Sequence, residues 1–100
     1  MKYSLSKDGT SATIQMSGRL TFEDHKSFRS LIGELSAGGI NHVVVDMNQL
    51  EFIDSVGLGL LLIMRDDLVN RQGRFSLKNP TGEVKRIFSI SHASSIFTIE

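Results

Sequence analysis

The chain has 100 residues, about the size of one small domain, so we expect a single domain over residues 1–100. Apolar residues make up 40% and charged residues 22%, which is the balance of an ordinary globular protein. Lysine plus arginine and aspartate plus glutamate number 11 each, so the clustered positive charge typical of nucleic-acid-binding and membrane-surface proteins is missing.

The missing cysteine and the short apolar runs indicate the cellular compartment in which the protein is expected. The sequence contains no cysteine, which excludes disulfides, thiolate metal ligands and cysteine nucleophiles. No apolar run follows Lys2 as it would in a secretory signal, and the longest apolar stretch covers only residues 56–64. A bilayer span needs roughly 20 apolar residues. We therefore expect a cytoplasmic protein without direct membrane insertion.

A β-hairpin is predicted at the start of the chain. Apolar and polar residues alternate on both sides of the turn signal Lys7-Asp8-Gly9, so residues 3–6 and 11–17 are predicted to form two short strands. Gly18 is expected to end the second strand. One face of this hairpin should be buried, because the apolar residues recur at every second position.

An amphipathic helix is predicted after the hairpin. Thr21 is followed three residues later by Asp24, a pattern that resembles the capping box of a helix N-terminus. Gly38 and Gly39 supply the stop signal. Between these signals apolar side chains recur at helical spacing, and they are Phe22, Phe28, Leu31, Ile32 and Leu35.

A buried strand and a largely buried helix are predicted in the middle of the chain. Residues 42–47 are a dense β-branched run with apolar side chains at successive positions, which is typical of a central parallel strand. Residues 48–54 are expected to form a loop whose apolar side chains turn inward, namely Leu50, Phe52 and Ile53. From Ser55 to the stop signal at residues 72–73 the pattern predicts a helix with an inward stripe of Leu61, Met64 and Leu68.

In the last quarter of the chain the apolar pattern predicts a strand around residues 75–77, a helix after Thr81-Gly82 and a final strand at 96–99. The apolar positions of this helix are Val84, Ile87, Phe88 and Ile90. The resulting order β-β-α-β-α-β-α-β predicts an α/β fold, in which about three to four helices pack on a mixed, mostly parallel sheet.

Signatures of enzymes and metal sites are missing from the sequence. There is no Gly-x-Ser-x-Gly elbow and no phosphate-binding loop, and the Gly-x-Gly at 57–59 alone does not make a dinucleotide fingerprint. The histidines at 25, 42 and 92 lack the short spacings of metal ligands. We therefore expect no enzyme activity, no cofactor and no metal site.

The most informative stretch is residues 54–59, Asp-Ser-Val-Gly-Leu-Gly. Either Asp54 or Ser55 can cap the helix that begins there, which explains both residues structurally. Gly57 and Gly59, however, cost roughly 1 kcal/mol each relative to alanine inside a helix, so a close approach of another backbone is expected there, either within the sheet or from a partner. A serine at a helix N-terminus is also a favourable phosphoryl acceptor, because the helix dipole favours negative charge.

Residues 54–59, preceded by Phe52-Ile53 and by Val44-Val45-Asp46, resemble the signature of STAS domains. More narrowly, they resemble the bacterial anti-sigma factor antagonists. The resemblance covers essentially the whole chain, since it includes Gly18-Arg19-Leu20 and the closing pattern from Val84 to Phe97. It implies a single STAS domain.

The resemblance also implies a phosphorylation switch in a partner-switching cascade. Ser55 is then the phosphoacceptor of a GHKL-type serine kinase that binds the ATP and doubles as an anti-sigma factor. The unphosphorylated form binds this kinase and frees its target, and a PP2C-type phosphatase regenerates that form. The implied contact residues are Thr21, Asp54, Val56, Gly57, Leu58 and Gly59.

Each implied contact residue has an expected role. Asp54 orients the loop and caps the helix, Leu58 lies on an exposed rim, and Gly57 and Gly59 let the partner come near. Many family members have aspartate where this chain has Thr21, and a smaller residue where it has Val56.

Two other hypotheses remain open on the sequence alone. One is a constitutive STAS-like cytoplasmic subunit of a lipid-transport ABC system, in which the same helix end would contact an ATPase or permease. The other is an enzyme or small-ligand binder, which the missing phosphate loop disfavours. The retained hydroxyl of Ser55 favours the phosphorylation switch.

Overall fold

The computed structural model describes all 100 residues as an α/β fold. Its elements in chain order are β1 (Lys2–Asp8), β2 (Ser11–Leu20), a 3-10 turn (Phe22–Asp24), α1 (His25–Ala37), β3 (His42–Ile53), α2 (Ser55–Asn70), β4 (Arg74–Lys78), α3 (Gly82–Ile90), a second 3-10 turn (Ala93–Ser95) and β5 (Thr98–Ile99). The predicted fold class and element order are confirmed.

The five strands form one mixed sheet in the order β1-β2-β3-β4-β5. β1 and β2 pair antiparallel as a hairpin, and the three remaining pairs are parallel. Because parallel crossovers are right-handed, this sequential order places all three helices on the same face of the sheet. None of these helices combines the length and the apolar character needed to cross a membrane.

Strand register explains where the core lies. Two rows of paired residues cross the central strands on the helix-covered face, Ala12-Val43-Phe75 and Ile14-Val45-Leu77, and all six residues are buried. The alternate residues form the rows Thr13-Val44-Ser76 and Gln15-Asp46-Lys78 on the other face. The sheet therefore has one apolar face under the helices and one mostly polar face.

The helices complete this core with the side chains that their spacing predicts. Phe28, Leu31 and Leu35 of α1 are buried, as are Leu61, Met64 and Leu68 of α2 and Val84 and Phe88 of α3. On the exposed side of α3, Arg86 donates hydrogen bonds to the Glu83 carboxylate. These bonds lower the pKa of Glu83 and raise the pKa of Arg86.

The predicted loop at residues 48–54 is wrong, because β3 continues to Ile53. β2 likewise passes through Gly18, which has a φ of +82°, and ends at Leu20. The pairing shifts twice, since Gln15 and Ser17 pair with Asp46 and Gln49, and Gly18 and Arg19 pair with Leu50 and Phe52. Such bulges break the alternation from which a strand is recognised.

The expected inward orientation of the apolar residues in this segment is correct for Leu50 and Ile53, which are buried. Phe52 is only half-buried, and the Arg19 guanidinium carbon lies 4.3 Å from its ring centroid. The extended end of β3 therefore brings the chain to Asp54 beside the end of β2.

Two residues predicted on apolar helix faces are instead exposed. Phe22 lies in the 3-10 turn that precedes α1, where 66% of its surface is exposed, and Ile90 is 65% exposed at the last position of α3. A 3-10 turn has three residues per turn, so it changes the direction of its side chains relative to the following α-helix. Ile32 and Ile87 are partly buried against the core, as their spacing predicts.

The final strand is shorter than predicted, because only Thr98 and Ile99 pair with β4. Phe97 lies before it and is buried, with its ring centroid 6.1 Å from that of Phe75 and 6.5 Å from that of Phe88. This aromatic cluster packs the end of the chain against β4 and α3.

Leu61→Ala is expected to lower the free energy of unfolding by about 2–5 kcal/mol, because Leu61 is fully buried and truncation leaves a cavity. Val69→Ala in the same helix is the matched control, since Val69 is 49% exposed and its truncation should change the value by less than about 0.5 kcal/mol. Urea unfolding followed by circular dichroism measures both. Equal effects would contradict the assignment of the α2 core stripe.

Candidate functional site

The candidate site lies where β2 and β3 end and α2 begins. Leu20 and Ile53, the last residues of the two strands, are paired in the parallel register. Ligands and partners of open α/β sheets bind outside the carboxyl ends of the strands, where loops and helix N-termini meet. Residues 20–22 and 54–59 meet at this edge of the sheet.

Asp54 connects the two segments through hydrogen bonds on both sides. Its Oδ1 accepts from the Gly57 backbone N–H at 2.7 Å, which caps α2, and its Oδ2 accepts from the Phe22 N–H at 3.2 Å. The Asp54 backbone N–H donates to the Leu20 carbonyl at 3.2 Å. The sequence left open whether Asp54 or Ser55 is the cap, and it is Asp54.

Ser55 is the first residue of α2 and is exposed. Its hydroxyl makes no hydrogen bond within the chain, and the cap of α2 is Asp54. The hydroxyl stands in solvent at the positive end of a helix of 16 residues, where added negative charge is favoured.

The two glycines of α2 have different surroundings. Gly57 is buried, and a Cβ there would lie 2.3 Å from the Leu20 carbonyl oxygen and 2.9 Å from Cγ1 of Ile53. The expectation that Gly57 lets a partner approach is therefore wrong, because the backbone that approaches belongs to β2 of the same chain. A Cβ on Gly59 would meet nothing within 4 Å, so Gly59 alone remains available for a partner.

Apolar residues next to Ser55 are exposed on α2. Val56 is 41% exposed and Ile63 is 37% exposed, and Gly59 lies between them at helical spacing. We call these three residues the α2 stripe. Leu58, which was expected on an exposed rim, is half-buried and packs against the core.

Thr21 is half-buried beside this site and organises the 3-10 turn. Its N–H donates to Asp24 Oδ2 at 2.9 Å, and its Oγ1 accepts from the Glu23 N–H at 3.4 Å. The capping pattern predicted at Thr21 and Asp24 is therefore confirmed. Because Leu20 and Phe22 both bond to Asp54, Thr21 lies between two contacts with the segment that contains Ser55.

Phe22 is a further site residue whose position the sequence pattern predicts incorrectly. Its apolar side chain fits the helical spacing of α1, so the pattern places it in the core, yet the structure leaves it exposed beside α2. The capping signal at Thr21 marks where the helix begins but does not distinguish a 3-10 turn from an α-helical one.

Sequence comparison identifies relatives over the same length of chain. A family model described as the STAS domain matches residues 4–100. A STAS-domain containing protein of Pseudomonas aeruginosa (strain UCBPP-PA14) is 37% identical over 94 residues, which cover 94% of this chain and 92% of that protein. The resemblance inferred from residues 54–59 is thereby confirmed.

Solved structures with the same fold include several anti-sigma factor antagonists. SpoIIAA in its unphosphorylated form has a TM-score of 0.76 at 22% identity, covering 99% of this chain and 87% of its own. The phosphorylated form of the Bacillus SpoIIAA gives 0.76 at 23% identity, with coverages of 99% and 91%. An antagonist from Mycobacterium paratuberculosis gives 0.82 at 19% identity, with coverages of 98% and 83%. At these identities the likeness concerns the fold.

Gly57→Ala is expected to destabilise the protein by about 1–3 kcal/mol, because the added methyl group would overlap the Leu20 carbonyl. Gly59→Ala is the matched control, and it should stabilise the protein by up to about 1 kcal/mol because the helix gains alanine without a clash. Thermal unfolding should show a lower melting temperature for Gly57→Ala and a higher one for Gly59→Ala. Equal shifts of the same sign would contradict it.

Asp54→Ala is expected to lower the free energy of unfolding by about 0.5–2 kcal/mol through loss of the α2 cap. Asp66→Ala serves as a control, because Asp66 makes only an exposed ion pair with Arg65, and such pairs contribute little. Urea unfolding compares the two variants. A loss no larger for Asp54→Ala than for Asp66→Ala would show that the cap is energetically unimportant.

Proposed function

Because this chain belongs to the STAS domain family, we propose that it is an anti-sigma factor antagonist-like binding module controlled by phosphorylation of Ser55. The unphosphorylated form binds a serine kinase that doubles as an anti-sigma factor, and this binding releases the target of the kinase. Phosphorylation of Ser55 abolishes binding, and a PP2C-type phosphatase reverses the modification.

The partner proteins carry out the phosphorylation and dephosphorylation of Ser55. The GHKL-type kinase binds the ATP, while the chain itself is a cytoplasmic substrate and ligand without catalytic activity or cofactor. The likeness in fold to SpoIIAA, a protein with structures in unphosphorylated and phosphorylated forms, supports the proposal.

The observation that most supports the proposal is the free hydroxyl of Ser55. Serine at a helix start is ordinarily explained as a cap, but here Asp54 already accepts the Gly57 N–H. The exposed Ser55 hydroxyl thus has no structural role within the chain. A kinase needs an accessible hydroxyl, and the phosphate that it would add is favoured electrostatically at a helix N-terminus.

Phosphorylation would act on the contact surface and leave the fold intact. A phosphate adds about −1.5 to −2 charges at Ser55, which precedes the exposed Val56 and follows Asp54, the residue that bonds to the backbone of the exposed Phe22. An apolar partner surface over this region would desolvate the phosphate, and an acidic partner surface would repel it. A loss of 10²–10³-fold in affinity is the expected order of magnitude.

The affinities of Ser55→Ala and Ser55→Asp for the kinase test this proposal. We expect immobilised Ser55→Ala protein to retain an ATP-binding serine kinase from an extract of the source cells. Titration calorimetry with the purified kinase should give Ser55→Ala the affinity of the unphosphorylated protein. Ser55→Asp should bind more weakly, although one carboxylate carries less charge than a phosphate.

Two outcomes would contradict the phosphorylation switch. Equal affinity of both Ser55 variants for the kinase would show that charge at this position does not control binding. Retention of an ABC-transporter ATPase or permease by both variants, with no kinase, would favour the constitutive transporter subunit. Asp66→Asn serves as a control, because it changes a charge elsewhere on α2.

A further inference from the structure

Phe22 has no packing role that would explain its apolar side chain. Two thirds of its surface is exposed, and it lies outside the cluster of buried core residues. A single exposed apolar residue is common on a protein surface and needs no explanation by itself. Ile90, which is exposed to the same extent, illustrates this. What distinguishes Phe22 is how its backbone is held.

The backbone of Phe22 is fixed to the segment that contains Ser55. Its N–H donates to the Asp54 carboxylate, which also caps α2, and the adjacent Leu20 carbonyl accepts the Asp54 N–H. The Leu20 carbonyl also packs so closely on Gly57 that no Cβ fits between them. These contacts flank Ser55 in sequence, so the backbone of Phe22 is tied directly to the segment that contains the phosphoacceptor.

The turn that contains Phe22 is held by hydrogen bonds of its own. Thr21 and Asp24 hydrogen-bond to each other through side chain and backbone, and the Asp24 N–H donates to the Thr21 carbonyl at 3.0 Å. An aromatic side chain presented on such a backbone loses little conformational entropy when it is bound. Buried aromatic residues of this kind contribute most of the binding energy at many interfaces.

We infer that Phe22 is a docking residue for the kinase that phosphorylates Ser55, and that its ring enters an apolar pocket on that kinase. This inference rests on the proposed function and goes beyond it by naming the residue and the chemistry of the contact. Val56 and Ile63 of the α2 stripe offer further apolar surface on the adjacent helix. The partner surface is therefore apolar opposite Phe22 and α2, with the phosphate transferred at its edge.

A docking role for Phe22 predicts that its replacement changes the protein concentration that gives half-maximal phosphorylation. The reason is that Phe22 contributes to binding and does not touch the hydroxyl that reacts. The assay follows phosphate incorporation at Ser55 in an ATP-supplemented extract of the source cells, mapped by mass spectrometry, over a range of protein concentrations. For Phe22→Ala we expect the half-saturating concentration to rise at least about tenfold, with the maximal rate changed less than about twofold.

Two variants control for the loss of any exposed apolar residue and for the loss of aromatic character. Ile90→Ala removes a side chain of equal exposure on α3 and should leave both kinetic parameters unchanged. Phe22→Leu retains an apolar side chain and should restore half-saturation to within about threefold of the wild-type value. All variants should melt within about 2 °C of the wild-type protein, because the replaced side chains are exposed.

Several results would overturn the inference. An unchanged half-saturating concentration for Phe22→Ala, or an equal rise for Ile90→Ala, would show that Phe22 is not a docking residue. A melting temperature lowered by more than about 5 °C would assign Phe22 a structural role instead. No phosphate on Ser55 of the wild-type protein would remove the proposed function and this inference together. Phosphorylation of Ser55 in both wild type and Phe22→Ala with the same half-saturating concentration would remove this inference alone.

Discussion

The Asp54 carboxylate holds together the part of the molecule on which the proposed function depends. One of its oxygens caps α2, and the other binds the backbone of the turn before α1. No other side-chain hydrogen bond joins the turn before α1 to the start of α2. Because Oδ1 of Asp54 caps α2, Ser55 is not needed as the cap, and it is exposed with no hydrogen bond from its hydroxyl to the rest of the chain.

Gly57 also makes this arrangement possible, because it leaves space on α2 for the end of β2. The end of β2 can approach α2 only where the helix has no side chain, and the Leu20 carbonyl occupies that space. The parallel pairing of β2 and β3 up to Leu20 and Ile53 brings the two backbones to this distance. The candidate site is therefore built on the ends of two core strands, which are paired with each other up to their last residues.

The sequence predicts most of this fold because helical and strand periodicity are strong in the central elements. Leu61, Met64 and Leu68 of α2 are buried as their spacing indicates, and in the β-branched run at 42–47 the alternate residues Val43, Val45 and Met47 are buried. The errors lie where periodicity is broken by bulges or tight turns. The sequence pattern predicts a loop at residues 48–54, although β3 continues to Ile53, because two bulges interrupt the pairing of β2 with β3.

The site could be predicted only in part for the same physical reason. Residues 54–59 identify the helix start and its exposed serine, because caps and glycines leave local signals. The packing of Gly57 on Leu20 and the exposure of Phe22 depend on contacts between segments far apart in sequence, which no local pattern encodes. Gly59 and Gly57 consequently look alike in the sequence and differ in the structure.

The most direct test of the central claim is the phosphate occupancy of Ser55 in the protein isolated from its own cells. Site-resolved mass spectrometry would compare growing cells with cells under stress. The account predicts phosphate on Ser55 in a fraction that changes between the two conditions. Absence of phosphate from Ser55 in both conditions would contradict a phosphorylation switch at this site.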